Sequence, residues 1–375
     1  MTNKRSKWLK GLFLFVLLIG LIFASCTSAP KGWPGPAVAN DTLYMSTVGG
    51  TVLALDPTDG GRRWEFSIQT PGEPGFLGCS SAPSTMRFYA SPTVGGDRVY
   101  VSTADFDRGG GMLYAIDATT GDKAWDFKSS APIVGTPCYY DGAIYAGCSD
   151  GRFYALDSLT GGVLWDFRAS DKIWSSAAAG GGLVYFGSLD HKLYALDAKT
   201  GTLKWSFLAG GFITSPPVVS GGTVFFGAAD RNLYALDAAQ GTRKWHFQAD
   251  NWFWAQPLIS EGRVYAGCLD KRVYAFDAAT GQQLWALPFA ASSPISVPCA
   301  LVEGILVVAS SEGKVYGVDV KTGEPKWAQP VKVGESVMSA PQVWSSTVYV
   351  SAQDGTLYAL KARSGTTLWH IPTRQ

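Results

Sequence analysis

Residues 194–205 read Tyr194-Ala-Leu-Asp-Ala-Lys-Thr-Gly-Thr-Leu-Lys-Trp205, and most of the chain beyond its first forty residues is this stretch repeated. An Asp, a Gly four residues on and a Trp eight residues on recur at Asp56/Gly60/Trp64, Asp117/Gly121/Trp125, Asp157/Gly161/Trp165, Asp197/Gly201/Trp205, Asp237/Gly241/Trp245, Asp277/Gly281/Trp285 and Asp319/Gly323/Trp327. An eighth copy keeps Gly365 and Trp369 but has Lys361 in place of the acid.

The tryptophans stand 61, 40, 40, 40, 40, 42 and 42 residues apart, and a period near forty marks an array of like units. Between successive tryptophans the pattern predicts four strands, for example 212–219, 223–228, 232–237 and 242–247. They are joined by Ser-Gly-Gly, Ala-Asp-Arg and Ala-Ala-Gln-Gly, all hairpin-turn chemistry. Four strands in each of eight units make an all-β chain, an eight-bladed β-propeller of four-stranded antiparallel blades.

Within the unit, Leu193-Tyr-Ala-Leu196 is apolar on both strand faces, the pattern of a strand covered by a neighbour on each side. Ala195 lets blades approach. Asp197 can accept from the N–H groups of the turn it opens, and Gly201 can supply the positive φ that turn needs. Trp205 fills the gap between blades, where burying about 200 Å² at roughly 25 cal/mol per Å² contributes about 5 kcal/mol.

Residues 1–25 read as a signal peptide. Lys4, Arg5, Lys7 and Lys10 form its positive end, and 12–23 is an apolar run too short to span a bilayer comfortably. It ends Leu21-Ile-Phe-Ala-Ser-Cys26, which resembles a bacterial lipobox, with Phe23 where that pattern usually has Leu. The resemblance implies that Cys26 is lipidated and becomes the first residue of a membrane-anchored lipoprotein. Ordinary secretory cleavage and an uncleaved anchor are the other readings, and all three export the protein. Residues 26–33 are a short tether, and 34–375 form one propeller domain.

The chain carries a formal charge of +1, and setting aside the leader's four cations leaves −3. A mildly acidic surface argues against nucleic acid as a partner. Five cysteines follow Cys26, at 79, 138, 148, 268 and 299, without metal-site spacing. Cys148 and Cys268 share a repeat position with Ser188 and Ala228, which marks a small buried residue. Cys138 and Cys148 fall about three positions out of register across their hairpin, too far for an unstrained bridge. His191, His246 and His370 lie in a turn and two outer strands and cannot converge on one metal or base. No Gly-x-Ser-x-Gly, HExxH or phosphate-binding loop is present.

Function is sought where one blade departs from the others. Blade 2 carries insertions at 69–88 and 104–111, both expected on the same, top, face. Just before the innermost strand, three consecutive blades read Lys172-Ile-Trp174, Gly211-Phe-Ile213 and Asn251-Trp-Phe-Trp254, where others have residues such as Val134, Ser296 and Met338. Trp174, Phe212, Trp252, Phe253 and Trp254 are therefore expected along one arc of the channel mouth. Two readings are open: the rings plug the mouth as core, or they form a concave site for a partner peptide, sugar or planar ligand. On the same face, Arg231, Lys271, Arg272 and His191 do not recur, and Arg231 and Lys271 give the arc a basic rim.

The blade motif Ala-x-Asp-x-x-Thr-Gly-x-x-x-Trp resembles that of the pyrroloquinoline-quinone (PQQ) propellers over essentially all of 34–375. That family includes quinone-dependent alcohol dehydrogenases and non-catalytic lipoproteins of the outer-membrane assembly factor BamB type. The dehydrogenase branch implies PQQ held between a Trp and a disulfide of adjacent cysteines, with Ca²⁺ and an Asp base. This chain has no adjacent cysteines, although Trp254, Asp171, Asp250 and Asn251 suggest a reduced version of that site. The lipoprotein branch matches in length, leader and blade count and implies no cofactor. The expectation is a monomeric, membrane-tethered, non-enzymatic scaffold that binds another envelope protein or surface polymer. Quinoprotein-like oxidoreductase and glycan-binding surface module are the alternatives.

Overall fold

Each repeat closes on itself as one four-stranded antiparallel sheet, and eight such sheets, each built from strands consecutive in sequence, make up the molecule. The computed structural model describes residues 35–47, 49–68, 87–106 and 109–373. The leader, the whole tether with Cys26, and Cys79 lie outside them, and no described residue is helical. The blades span 36–67, 93–129, 138–168, 178–208, 218–248, 258–290, 300–332 and 342–372. They are numbered 1 to 8 in that order.

The third strand of each blade is its core. In blade 4, Lys192–Asp197, the side chains of Leu193, Tyr194, Ala195 and Leu196 are all buried, because the strand packs against neighbouring blades on both faces. The innermost strand is shorter than its apolar run suggests. In blade 5 it is Val218–Ser220 rather than 212–219, since Pro216 and Pro217 have no N–H to give a ladder.

A β-bulge aims the repeated tryptophan. Ala195 pairs with Trp205 and Leu196 with Leu203, so Lys204 is the extra residue and the outer strand turns there. The indole N–H then crosses to the next blade: Trp165 Nε1 donates to the Ala198 carbonyl at 3.0 Å, Trp205 to Ala238 at 3.1 Å and Trp245 to Ala278 at 3.0 Å. The next blade's turn glycine makes room for the ring. Gly241 has φ 71°, and a Cβ placed on it would lie 2.5 Å from Trp205, so this position excludes every other residue on two counts.

Blades 6 and 7 explain the 42-residue spacings. Their outer strands shrink to Phe289–Ala290 and Val331–Lys332, because two extra residues and a proline, Pro288 or Pro330, interrupt the ladder after Trp285 and Trp327. Both tryptophans stay buried. The ring closes without exchanging a strand, since blades 1 and 8 are each complete. Trp369 Nε1 donates to the Thr58 carbonyl at 2.9 Å and Tyr349 Oη to the Pro57 carbonyl at 2.6 Å. Cys138, Cys148, Cys268 and Cys299 are free thiols. The Cys148 and Cys268 thiols donate to carbonyls of the preceding connection, as Ser188 does at the same position in blade 4.

Candidate functional site

Three residues precede each innermost strand on the top face, and the structure separates their roles. The middle one is core: Ile173, Ile213 and Ile295 are fully buried, and so is Phe253 at 2% exposure, packed on Phe225, Leu233 and Phe247. Phe253 therefore leaves the expected rim. Its column is apolar in every described blade because it plugs the gap beneath the turns. The flanking residues point the other way. Phe212 and Trp252 occupy the first position, half-buried, with ring centroids 5.3 Å apart at 82°. Trp174 and Trp254 occupy the third position, so the aromatic residues expected at one site fill two columns. Trp254 is 39% exposed, and it and Phe106 are the exposed aromatics among the described residues. Trp174 leans back on blade 3, its indole N–H donating to Ser149 Oγ at 3.2 Å, with Lys172 Nζ 5.8 Å from the ring.

The basic side chains come from the turn between second and third strands. In blades 3, 7 and 8 the residue at its left-handed corner is a glycine, Gly151, Gly313 or Gly355. In blades 4, 5 and 6 it is His191, Arg231 or Lys271, with φ of 71°, 71° and 74°. A side chain at that conformation costs about 1–2 kcal/mol. The turn itself has no use for it, because the corner carbonyl accepts the same N–H whatever the residue: Ala169 to Gly151, Ala209 to His191, Ala249 to Arg231 and Val333 to Gly313, all at 2.8–2.9 Å.

The backbone interleaves the two sets. Ala209 N donates to His191 O, and three residues on Phe212 O accepts from Ala229 N at 3.0 Å, two residues short of Arg231. Ala249 N then donates to Arg231 O, and Trp252 O accepts from Leu269 N at 3.0 Å, two residues short of Lys271. The order along the arc is thus His191, Phe212, Arg231, Trp252, Lys271.

Acids of these turns face inward. Asp190 Oδ1 accepts from Lys192 N and its Oδ2 from Ser170 N and from Tyr194 Oη, the last at 2.5 Å. Burial and that bond push the Tyr194 phenol up to about 12. Asp230 and Asp270 likewise accept from Tyr234 Oη and Tyr274 Oη, and burial with that bond raises both phenols above their usual range. Arg272, a further candidate from sequence, is drawn into the scaffold, 2.7 Å from Asp250. Neither Arg231 nor Lys271 forms an ion pair among the described residues. Sequence reasoning passed over Lys172, whose only signal was its place beside Trp174. The blade 2 insertions meet where they are described: Arg87 and Ala104 form an antiparallel bridge, and Tyr89 and Phe106 lie edge to face at 5.4 Å.

Among known families, the model described as outer membrane protein assembly factor BamB matches residues 48–179, 170–293 and 269–375. The chain belongs to this family. BamB from Moraxella catarrhalis superposes with a TM-score of 0.64 at 20% identity, covering 75% of this chain and 84% of that one. A europium-containing methanol dehydrogenase superposes with a TM-score of 0.67 at 16% identity, covering 91% and 84%. At these identities the likeness is one of fold. A quinohemoprotein alcohol dehydrogenase of Comamonas testosteroni is 29% identical over 118 residues, 30% of this chain. The chain spans about 15% of the length of that relative.

A BamB-family blade ring shared with quinoproteins raises the question of whether the residues here fit PQQ and Ca²⁺. They do not. No three His, Cys, Asp or Glu among the described residues converge as a metal site. Asp250 is held by Arg272, Asn251 Oδ1 takes Trp252 N at 2.8 Å, and Asp171 Oδ1 takes Lys172 N at 2.7 Å.

Proposed function

We propose that this protein is an exported, membrane-tethered, non-enzymatic scaffold that holds another envelope protein on its top face. One observation carries the reading: side chains that the blades do not need for folding are gathered on three adjacent blades of one face. Large aromatic residues with arginine among them, half-exposed and rimmed by polar groups, have the composition of a protein-binding hot spot. Membership of the BamB family agrees with a role in envelope assembly, and the tether is Cys26, acylated after removal of residues 1–25.

The test is a double variant, Trp252→Ala with Trp254→Ala. It is expected to lose capture of its partner from native envelopes while its melting temperature stays nearly unchanged. Each hot-spot truncation typically costs about 2 kcal/mol of binding. Intact capture with a large fall in melting temperature would show that the rings are core. For the anchor, Cys26→Ser is expected to release the protein from the membrane fraction or block its processing. Unchanged processing and fractionation would remove the lipid from the account.

A further inference from the structure

Building on that partner-binding reading, we propose that the arc recognises an extended acidic peptide segment. His191, Arg231 and Lys271 bind its carboxylates, and the Phe212–Trp252 corner seats one of its apolar side chains. Three features of the arc lead to this occupant.

The first is conformational. A left-handed corner is glycine in blades 3, 7 and 8 and a basic residue only in blades 4, 5 and 6, the same three that carry the flanking aromatics. Strain kept at a position the scaffold can fill with glycine points to a use for the side chain. The second is charge. Asp190 and Asp230 are turned inward onto backbone N–H and tyrosine hydroxyl groups, and Asp250 is held by Arg272, whereas Arg231 and Lys271 are exposed. The outward field of the arc is therefore positive although the chain without its leader's four cations carries −3, which suits an anionic partner.

The third feature separates a peptide from a polysaccharide. Phe212 and Trp252 meet at 82°, so they form a corner with one face and one edge and not two coplanar platforms for successive sugar rings. A corner of this kind takes a single branched or aromatic side chain. Cation and ring alternate along the arc, and a peptide in which acidic and apolar residues alternate presents the matching order.

The full chain and its Arg231→Gly/Lys271→Gly variant are each used to select from a random dodecapeptide phage library. The selected peptides are then remeasured by anisotropy at low and high salt. The expected result is enrichment of Asp and Glu alternating with large apolar residues on the parent chain. Binding should weaken by roughly tenfold or more in the variant and at high salt, and the variant's melting temperature should be equal or higher, since glycine relaxes both corners. Enrichment without acids, no enrichment over the variant, or displacement of the peptides by an anionic polysaccharide but not by Glu-rich peptide overturns the proposal. A lowered melting temperature in the glycine variant also overturns it, since the cations would then serve the fold. In envelope capture, loss with Trp252→Ala/Trp254→Ala but not with the glycine variant sinks the acidic peptide alone. Capture intact in both sinks the partner-binding reading as well.

Discussion

Trp205 makes three separate contributions: apolar burial, one indole hydrogen bond across the blade gap, and a ring face against Gly241. Truncating it to Ala is expected to cost about 3–5 kcal/mol, the range for a large aromatic leaving a cavity. Gly241→Ala attacks the same contact from the other side. A Cβ 2.5 Å from the indole, on a residue with φ 71°, should destabilise by more than about 1 kcal/mol through strain and displacement of the ring. Denaturant melts of both variants check this, and a double variant close in stability to Trp205→Ala alone would show the two sites acting through one contact. Phe253 belongs with these residues and not with the arc, and its truncation should lower stability to a similar degree.

The Asp-x-x-x-Gly turn is the smallest element with behaviour of its own. Asp197 Oδ1 accepts from the N–H groups of Lys199 and Thr200, and Oδ2 lies 3.2 Å from Lys204. Lys204, then these turn N–H groups, hold its carboxyl below the usual range. The Thr160 hydroxyl does so first for Asp157, and the Thr120 N–H first for Asp117. A carboxyl whose folded value is depressed contributes stability that is present above its unfolded value, about 3.9, and is lost as pH falls through the folded one. The melting temperature should therefore drop steeply below about pH 4. Replacing Asp117, Asp157 and Asp197 together by Asn should flatten that drop, and an unchanged slope in a thermal melt series would show that these turns are not what acid breaks. Blade 8 keeps the turn without the acid, Gly365 N donating to Lys361 O at 2.8 Å, so the carboxylate tunes the turn and does not create it.

Ring closure belongs to the molecule as a whole. Because every blade is complete, no strand is shared between blades 8 and 1, and among the described residues their contact is made by side-chain packing with the bonds from Trp369 and Tyr349 and one from Trp344 Nε1 to Asp41 Oδ1 at 3.0 Å. It is also the looser contact: a Cβ placed on Gly60 would lie 3.3 Å from Trp369, against 2.5 Å for Gly241 and Trp205 and 2.7 Å for Gly365 and Trp327. Opening should begin there. Native-state hydrogen exchange is expected to show the outer strand of blade 8, Thr367–Pro372, exchanging faster than the outer strand of blade 4, Leu203–Leu208. Uniform protection around the ring would mean that the seam is as tight as the other contacts. The arc on blades 4 to 6 lies far around the ring from this seam, so opening at blades 8 and 1 leaves its interleaved cations and rings together.

Repetition made the scaffold legible in the sequence. Asp, Gly and Trp at fixed spacing, with an apolar strand between turns, specify a unit whose faces must be covered by copies of itself, and burial in blade 4 follows that pattern residue for residue. The exceptional columns were legible too, since His191, Arg231 and Lys271 stand where other blades have glycine. What that substitution meant was not, because backbone handedness is a property of the closed turn and no composition reveals that a side chain is held at φ near 71°. Phe253 shows the same boundary. Between two tryptophans it reads as part of an aromatic run, yet consecutive residues in an extended connection point to opposite sides, and the ring beneath decides which side is core. Local pattern determined the blade. The direction of each rim side chain was decided only when eight blades met around a common axis, because burial there depends on neighbours forty residues away.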